Sequence, residues 1–487
     1  MKINVIKADV IAALSVAVAI RCIVSLYSYS GAGNPPMYGD YEAQRHWQEI
    51  TTNVQPRDWY RNTTENDLLY WGLDYPPITA YHSYIIGIVG KGLNESFVKL
   101  GESRGIESAA HKNFMRMTVL FADILLYLPA ILIFGTVLFT NFKKSLLFYL
   151  LPMVFYPGQI LIDNGHFQYN NVSLGLCLLA VAAIFKGRFY MGSFLYTLAL
   201  NYKQMELYHA LPFFIYLLRT CCDQKGFLSK LKTFAFIAST VLATFLVIWL
   251  PWLTSVTSIL EVLYRLFPIG RGVFEDKVAN FWCALNVVYK IKNKLQNQQM
   301  ATLCLGVTAA FVLPINIHMF FNKRKQTFLL SLVSTAMAFY LFSFQVHEKS
   351  ILLVAVPALG LFSSYPLETL WFLEATVFSM FPLYVKDGLV IPFFALLFIY
   401  HFCIKHILLK ELNQDFKISS LSAISSISIF SMFFIALVSL YAPAPERYPF
   451  IWPLLICLHS FAHFFVYFGF CISHQISGEF NVKINYK

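Results

Sequence analysis

The run VLFADILLYLPAILIFGTVLFT, Val119 to Thr140, decides the fold class: it holds one charged side chain, Asp123, among 22 residues. A hydrocarbon core of about 30 Å is crossed by roughly 20 apolar residues in helical form. Leu231 to Leu250 and Ile427 to Tyr441 repeat the pattern. Backbone polar groups cannot be left unpaired in lipid, and the strands of a barrel alternate in polarity rather than staying apolar throughout, so such runs are helices. The expectation is an all-α polytopic membrane protein with about 11–14 transmembrane helices, the spread arising from short spans and proline-containing breaks at Leu151-Pro152 and Leu211-Pro212.

Composition agrees. Of 487 residues, 57% are hydrophobic and 13% charged, and the mean hydropathy is +0.59, outside the range of soluble domains. The formal charge of +11 lies in short basic clusters between apolar runs: Lys2 and Lys7, Lys143 and Lys144, Lys186 and Arg188, Arg219 to Lys232, and Lys323 to Lys325. That is the pattern of cytoplasmic loops, and nucleic acid is excluded as a partner. The first crossing, about Ala8 to Tyr27, has a basic flank and no small-residue cleavage site, so it reads as an uncleaved signal anchor. Arg21 within it is expected to snorkel to the interface. The nine cysteines include no CxxC pair and read as small buried hydrophobes. No metal site follows from them.

The organisation is one membrane-embedded domain, 1–487, with one large loop, 28–112, on the side opposite the basic clusters. That loop carries two N-glycosylation patterns, Asn62-Thr63-Thr64 and Asn94-Glu95-Ser96, compatible with a secretory lumen. Its apolar segment Ile78 to Val89 is short for a span and fits an interfacial helix.

Ionisable groups at the ends of spans are functional candidates by default, because lipid makes them costly. Tyr38-Gly39-Asp40-Tyr41-Glu42-Ala43-Gln44-Arg45-His46-Trp47 puts Asp40 at a helix start, where a carboxylate serves as an N-cap or as a general base. Gly72-Leu73-Asp74-Tyr75-Pro76-Pro77 holds Asp74 beside paired prolines that stiffen the chain, as a fixed carboxylate or a simple loop corner. His166 lies in Asp163-Asn164-Gly165-His166-Phe167-Gln168-Tyr169-Asn170. Lys203 and Glu206 are three apart and favour pairing with each other over touching ligand. Arg271 opens a stretch dense in both signs of charge, running to Trp282, which a salt-bridged loop also explains. Gln345-Val346-His347-Glu348-Lys349 puts His347 beside Lys349, a positive pocket for a lipid phosphate or an interfacial histidine. No Asp-x-Asp pair and no GxxxxGK[ST] loop is present, so a metal-held nucleotide donor has no seat, and an activated donor is expected to be lipid-linked.

These same stretches carry a resemblance. With Ser28-Tyr29-Ser30-Gly31-Ala32-Gly33, Asn201 to His209, Phe274 to Trp282 and Phe344 to Leu352, the sequence resembles the dolichyl-phosphate-glucose-dependent α-1,3-glucosyltransferases of the endoplasmic reticulum, as far as about Val390. Asp74 to Ser83 is similar to the enzymes that add the first glucose, with Ile78 where leucine is more usual. The resemblance implies the GT-C glycosyltransferase fold, residence in the endoplasmic reticulum membrane with the site facing the lumen, and no cofactor or metal. Its implied partners are a dolichyl phosphate glucose donor, a dolichyl-diphosphate-linked oligosaccharide acceptor and membrane lipid. It further implies Asp40 as the catalytic base with Asp74 as a second carboxylate. His347, Lys203 and Arg271 then face the donor phosphate, with Gln345, Glu348 and His166 in the binding site. The sister enzyme that adds the second glucose is the alternative, and a polytopic transporter a distant one.

Overall fold

The computed structural model describes residues 8–139, 146–267, 278–407 and 416–478, and in these every regular element is helical. Among the described residues, nine helices are long and apolar enough to cross a membrane: α1 (Ala8–Ser25), α4 (Ala109–Leu138), α5 (Leu146–Phe167), α9 (Phe227–Trp252), α12 (Asn297–Phe321), α13 (Lys325–Phe342), α17 (Val390–Ile407), α18 (Ser422–Tyr441) and α19 (Ile451–Ser477). Between them run the shorter α6 (Asn170–Phe185), α7 (Phe189–Tyr202), α8 (Ala210–Cys222) and α15 (Pro366–Ser379). Their 13–16 residues rise only roughly 20–24 Å, which is why a length criterion finds nine spans where apolar runs led to an expectation of 11–14.

Burial sorts the spans. In α5 and α13 nearly every side chain is inside the bundle, whereas α1, α9 and α18 turn most of theirs outward. The outward set on α9 is Phe234, Leu242, Leu246, Val247 and other apolar groups, a face suited to lipid. The core lies where α5, α6, α13, α14 (Leu352–Ala358) and α15 meet.

Most of the chain between α1 and α4 is not spanning. It carries α2 (Asp40–Asn53) and α3 (Pro77–Leu93), which pack against each other. α3 covers the segment expected to be interfacial and fastens to α7 through Thr79 Oγ1 and the Tyr202 carbonyl, 2.5 Å apart. A tryptophan cluster seats this region on the end of α9: Trp59 and Trp252 are fully buried with ring centroids 6.0 Å apart, and Tyr81 donates to the Ile248 carbonyl at 2.8 Å. Arg61 closes the join with a two-pronged bond to Glu261 of α10 (Val256–Leu266) at 3.1 and 3.0 Å. Both asparagines of the glycosylation patterns, Asn62 and Asn94, are exposed on this region.

Arg21 departs from expectation. Its side chain does not reach an interface: it is fully buried, bonded to the carbonyls of Val154 and Ala17 at 3.1 and 3.2 Å, to Gln159 Oε1 at 2.8 Å, and 3.5 Å from Asp123. A charge four turns into a span is retained when a partner inside the bundle removes the desolvation cost, and Asp123 of α4 supplies one. The cysteines are all free, and of the nine, five are buried, while Cys22, Cys222 and Cys403 are exposed on outward faces.

Candidate functional site

Two wide turns build the site. α4 and α5 each relax into a π-helical turn, Asp123–Tyr127 and Leu161–Phe167. Such turns rotate successive side chains to one side and recur at functional sites. The second aims Asp163, Asn164 and His166 inward, and the chain then reverses at Phe167, whose φ of 88° is unusual for a side-chain-bearing residue. The reversal lets His166 and Gln168, two apart, address one atom.

That atom is Asp40 Oδ2. His166 Nε2 stands 3.0 Å from it, Gln168 Nε2 donates at 2.5 Å, and Lys349 makes a short ion pair to the same oxygen. Asp40 is the first residue of α2 and does not cap it, since its side chain accepts none of the free N–H groups of the first turn. It is placed instead by a glycine crossing. Gly31 (φ +78°) and Gly39 (φ +137°) lie backbone on backbone, so closely that a Cβ on Gly31 would fall 0.9 Å from the Tyr38 carbonyl oxygen. The Ser30 hydroxyl accepts from the Asp40 N–H at 3.2 Å, and the Ser30 N–H donates to the His166 carbonyl at 2.9 Å. The loop after α1 is thereby locked to the π turn of α5.

Among the described residues, Asp40 Oδ1 accepts no hydrogen bond, and the side chain is 25% exposed. One carboxylate oxygen is thus saturated by donors while the other is open. Burial works to raise the Asp40 pKa, but the charge of Lys349 and the bond from His166 hold it well below the usual carboxylate range. Lys349 is the reciprocal case: burial would lower its pKa, and Asp40 keeps it raised.

A second cation adjoins. Lys203 follows α7; its Nζ donates to Asn170 Oδ1 at 2.5 Å and lies over the Tyr75 ring, 5.1 Å from the centroid. Burial, then the charge of Lys349, bring its pKa down to about 8. Asn170 is held by Asp163 (2.8 Å), and Asp163 by Gln159 (3.1 Å), which links Lys203 through buried groups to Arg21. The expected pairing of Lys203 with Glu206 does not form. Glu206 instead bonds His209 Nδ1 at 2.8 Å, because the residues between them wind as a tight 3₁₀ segment, Gln204–His209, that puts i and i+3 in line.

Asp74 is half-buried on an extended segment held by its carbonyls: Arg265 binds those of Gly72 and Leu73 at 2.7 and 3.2 Å, Gln204 that of Asp74 at 2.9 Å, and Tyr60 that of Tyr75 at 2.7 Å. Tyr75 and Lys203 bring this segment to the site. His347 is exposed at the start of a 3₁₀ turn, Glu348–Ile351, that carries Lys349, with Gln345 and Glu348 half-buried beside it. Arg271 lies outside the described residues.

Gln168 and Asp387 join the site without having been singled out individually, and Lys349, read from the sequence only as the neighbour of His347 in a positive pocket, contacts Asp40 directly. Lys349 and Gln168 stood inside quoted motifs, so a rule of taking every polar member would have found them. Asp387, bonded to His166 Nδ1 at 2.6 Å, sits in an ordinary-looking Lys386-Asp387-Gly388 turn and gives no local signal. Cys177, Glu206 and His209 form a separate buried group with ligand atoms within 4.8 Å of one another, a set able to hold a divalent cation. His209 Nε2 there lies 2.8 Å from the Leu353 carbonyl, and the group shares no hydrogen bond with Asp40.

A helical membrane bundle with a half-open carboxylate paired to the Lys349 ammonium, and Lys203 near enough to feel its charge, fits a class, the multispanning group-transfer enzymes that act at the membrane surface. Residues 17–470 match the model of the ALG6, ALG8 glycosyltransferase family, and the chain belongs to that family. A Drosophila melanogaster protein named probable dolichyl pyrophosphate Man9GlcNAc2 alpha-1,3-glucosyltransferase is 51% identical over 97% of this chain and 99% of its own length. A Gallus gallus protein named dolichyl pyrophosphate Man9GlcNAc2 alpha-1,3-glucosyltransferase is 46% identical, covering 96% of this chain and 97% of its own. An Arabidopsis thaliana relative, named as probable for the same activity, is 41% identical over 93% and 86%.

Proposed function

We propose that this protein transfers the first glucose from dolichyl phosphate glucose to the terminal mannose of the lipid-linked Man9GlcNAc2 oligosaccharide, forming an α-1,3 linkage with inversion at the anomeric carbon. The reaction takes place in the endoplasmic reticulum membrane with the site facing the lumen. The observation that carries this reading is the Asp40 carboxylate with Oδ2 saturated and Oδ1 open, beside two lysines. The relatives' printed names supply the acceptor and favour the first-glucose step over the second.

The chemistry follows from charge. The leaving group is a phosphate monoester already bonded to the anomeric carbon, so its departure calls for cations more than for a proton. Lys349 and Lys203 provide them. The acceptor hydroxyl, with a pKa far above neutral, must lose its proton as it attacks; Asp40 Oδ1 takes it, while the new C–O bond forms on the face opposite the phosphate. A carboxylate held far below its ordinary pKa is a weak base. Arrival of the donor phosphate competes for Lys349, loosens its pair with Asp40, and strengthens the base when the donor is in place. Asp74 is proposed to orient the acceptor, and His347 with Arg271, Gln345 and Glu348 to line the donor's approach.

The test is transfer of labelled glucose by purified protein in detergent with chelator present, from dolichyl phosphate glucose to the nonglucosylated oligosaccharide. Turnover that Asp40→Asn lowers by about a hundredfold or more supports the reading. Turnover of only the monoglucosylated acceptor assigns the second-glucose step instead.

A further inference from the structure

His166 sits between two carboxylates. Nδ1 is 2.6 Å from Asp387 Oδ2, Nε2 is 3.0 Å from Asp40 Oδ2, and Lys349 Nζ stands 3.1 Å from Nε2. The imidazole is 2% exposed and the Asp387 side chain 4%, so water does not compete for either contact. A carboxylate oxygen accepts hydrogen bonds, so Nδ1 donates to Asp387 Oδ2. Nε2 faces Asp40 Oδ2, an acceptor as well, so His166 bonds both carboxylates when both ring nitrogens carry a hydrogen.

From this geometry we infer that Asp387 is a positioning residue for transfer: by accepting from Nδ1–H it fixes the ring orientation of His166, so that the Nε2–H and Lys349 together donate to Asp40 Oδ2 and turn Oδ1 toward the acceptor. The inference rests on the proposed role of Asp40 as base. Its structural support is specific. Asp387 follows the short α16 (Phe381–Lys386), its N–H donates to the Leu383 carbonyl at 3.2 Å, and the chain turns at once through Gly388 at φ +70°. Leu389 packs on Gly165, where a Cβ would come within 2.8 Å of its Cδ1, so the residues flanking the dyad on both strands of chain are clamped together. Arg116 of α4 pins the other side through the carbonyls of Asn164 and Gly165, at 2.7 and 2.8 Å. With the backbone held on both sides, the one freedom left is the orientation of the ring, and Asp387 removes it. The arrangement has the logic of a carboxylate that orients a histidine without touching substrate.

The experiment compares Asp387→Asn, Asp387→Glu, His166→Asn, the double variant His166→Asn/Asp387→Asn, and Asp40→Asn in the full-length enzyme, with KM and kcat for both substrates and the melting temperature of each. Expected are a loss in kcat on the order of tenfold to a hundredfold for Asp387→Asn, KM values within about twofold, partial recovery in Asp387→Glu, and a double variant no slower than His166→Asn alone. Asp387→Asn with wild-type kcat, or losses that multiply in the double variant, overturns the inference. Where Asp387→Asn lowers the melting temperature, the double-variant comparison still decides, since a merely structural aspartate gives multiplying losses. Full activity of Asp40→Asn overturns the base assignment itself, and wild-type kcat in Asp387→Asn beside an inactive Asp40→Asn overturns only the role of Asp387.

Discussion

Asp40, the first residue of α2, and the group at residues 42–49 that follows it are built from the same materials and differ in how their acceptors are used. Both pair carboxylates with buried cations. In the group that follows, Arg45 bonds Glu42 at 2.6 and 2.8 Å, Glu49 at 2.7 Å and the Ser103 hydroxyl at 2.6 Å. Tyr70 donates to Glu42 at 2.8 Å and the Gly101 N–H to Glu49 at 2.6 Å. Every carboxylate oxygen there has a donor, and the group is closed to water: it is cement between α2 and the chain that leads to α4. Asp40, two residues before Glu42, has all its donors on one oxygen and leaves the other open. On the proposed reading, the cluster whose acceptors are exhausted is structural and the one with an acceptor in reserve serves the chemistry.

The comparison breaks most directly at Asp40. Asp40→Asn keeps the shape but removes the proposed base and the charge opposite Lys349, and transfer is expected to fall by about 10²–10³-fold with a smaller loss of melting temperature than in Arg45→Met; a thermal loss as large as that of Arg45→Met would make Asp40 part of the cement. Arg45→Met is the mirror experiment. Two buried carboxylates lose their partner, the expected loss of stability is about 3 kcal/mol, and activity per folded molecule is kept. Thermal melting of the purified enzyme, read beside turnover, separates the two cases.

pH sharpens the contrast. Burial opposes it, but the His46 bond and the Arg45 charge bring the Glu49 carboxyl down to about 2. A carboxyl depressed by folding stabilises fully above its unfolded value of about 4.3, and that stabilisation drains away as pH falls toward 2. Melting temperature should therefore fall with acid below about pH 5, and in Glu49→Gln that dependence should flatten. At Asp40 the sign is the same but the readout is turnover: the base works ionised, so Lys349→Met, which frees the pKa to rise, moves the acid limb of kcat to higher pH and slows transfer roughly tenfold or more. The smallest effect is expected at Lys203. Its ammonium is lost as pH rises through about 8, so kcat/KM for the donor declines above that pH by up to tenfold per unit. Lys203→Arg, charged throughout, should remove that decline.

How legible all this was depends on range. Asp40, Asp74, His166, Lys203 and the 345–349 segment stand in polar islands between apolar runs, and lipid makes such islands conspicuous. Asp387 and Arg21 were not legible as site and network members. Asp387 reaches its partner across 221 positions in sequence, and Arg21 reaches Gln159 across 138; no local pattern encodes such a distance. The choice between cap and base at Asp40, and between pairing and ligand contact at Lys203, also lay open, because both readings need the same residue type at the same place.

By itself the sequence determined that this chain is a helical membrane bundle with one large non-spanning region, since apolar runs of span length have no other stable form in lipid, and it marked the islands of polarity from which the candidate site is drawn. The tertiary structure alone decided which oxygen of Asp40 is occupied, that His166 and Gln168 share it through a reversed turn, and that Arg45 and Arg21 are internal ties. The reason is physical: hydropathy acts along the chain within one helix, whereas the state of a buried charge is set by donors and acceptors a few ångströms away that the fold brings from distant helices.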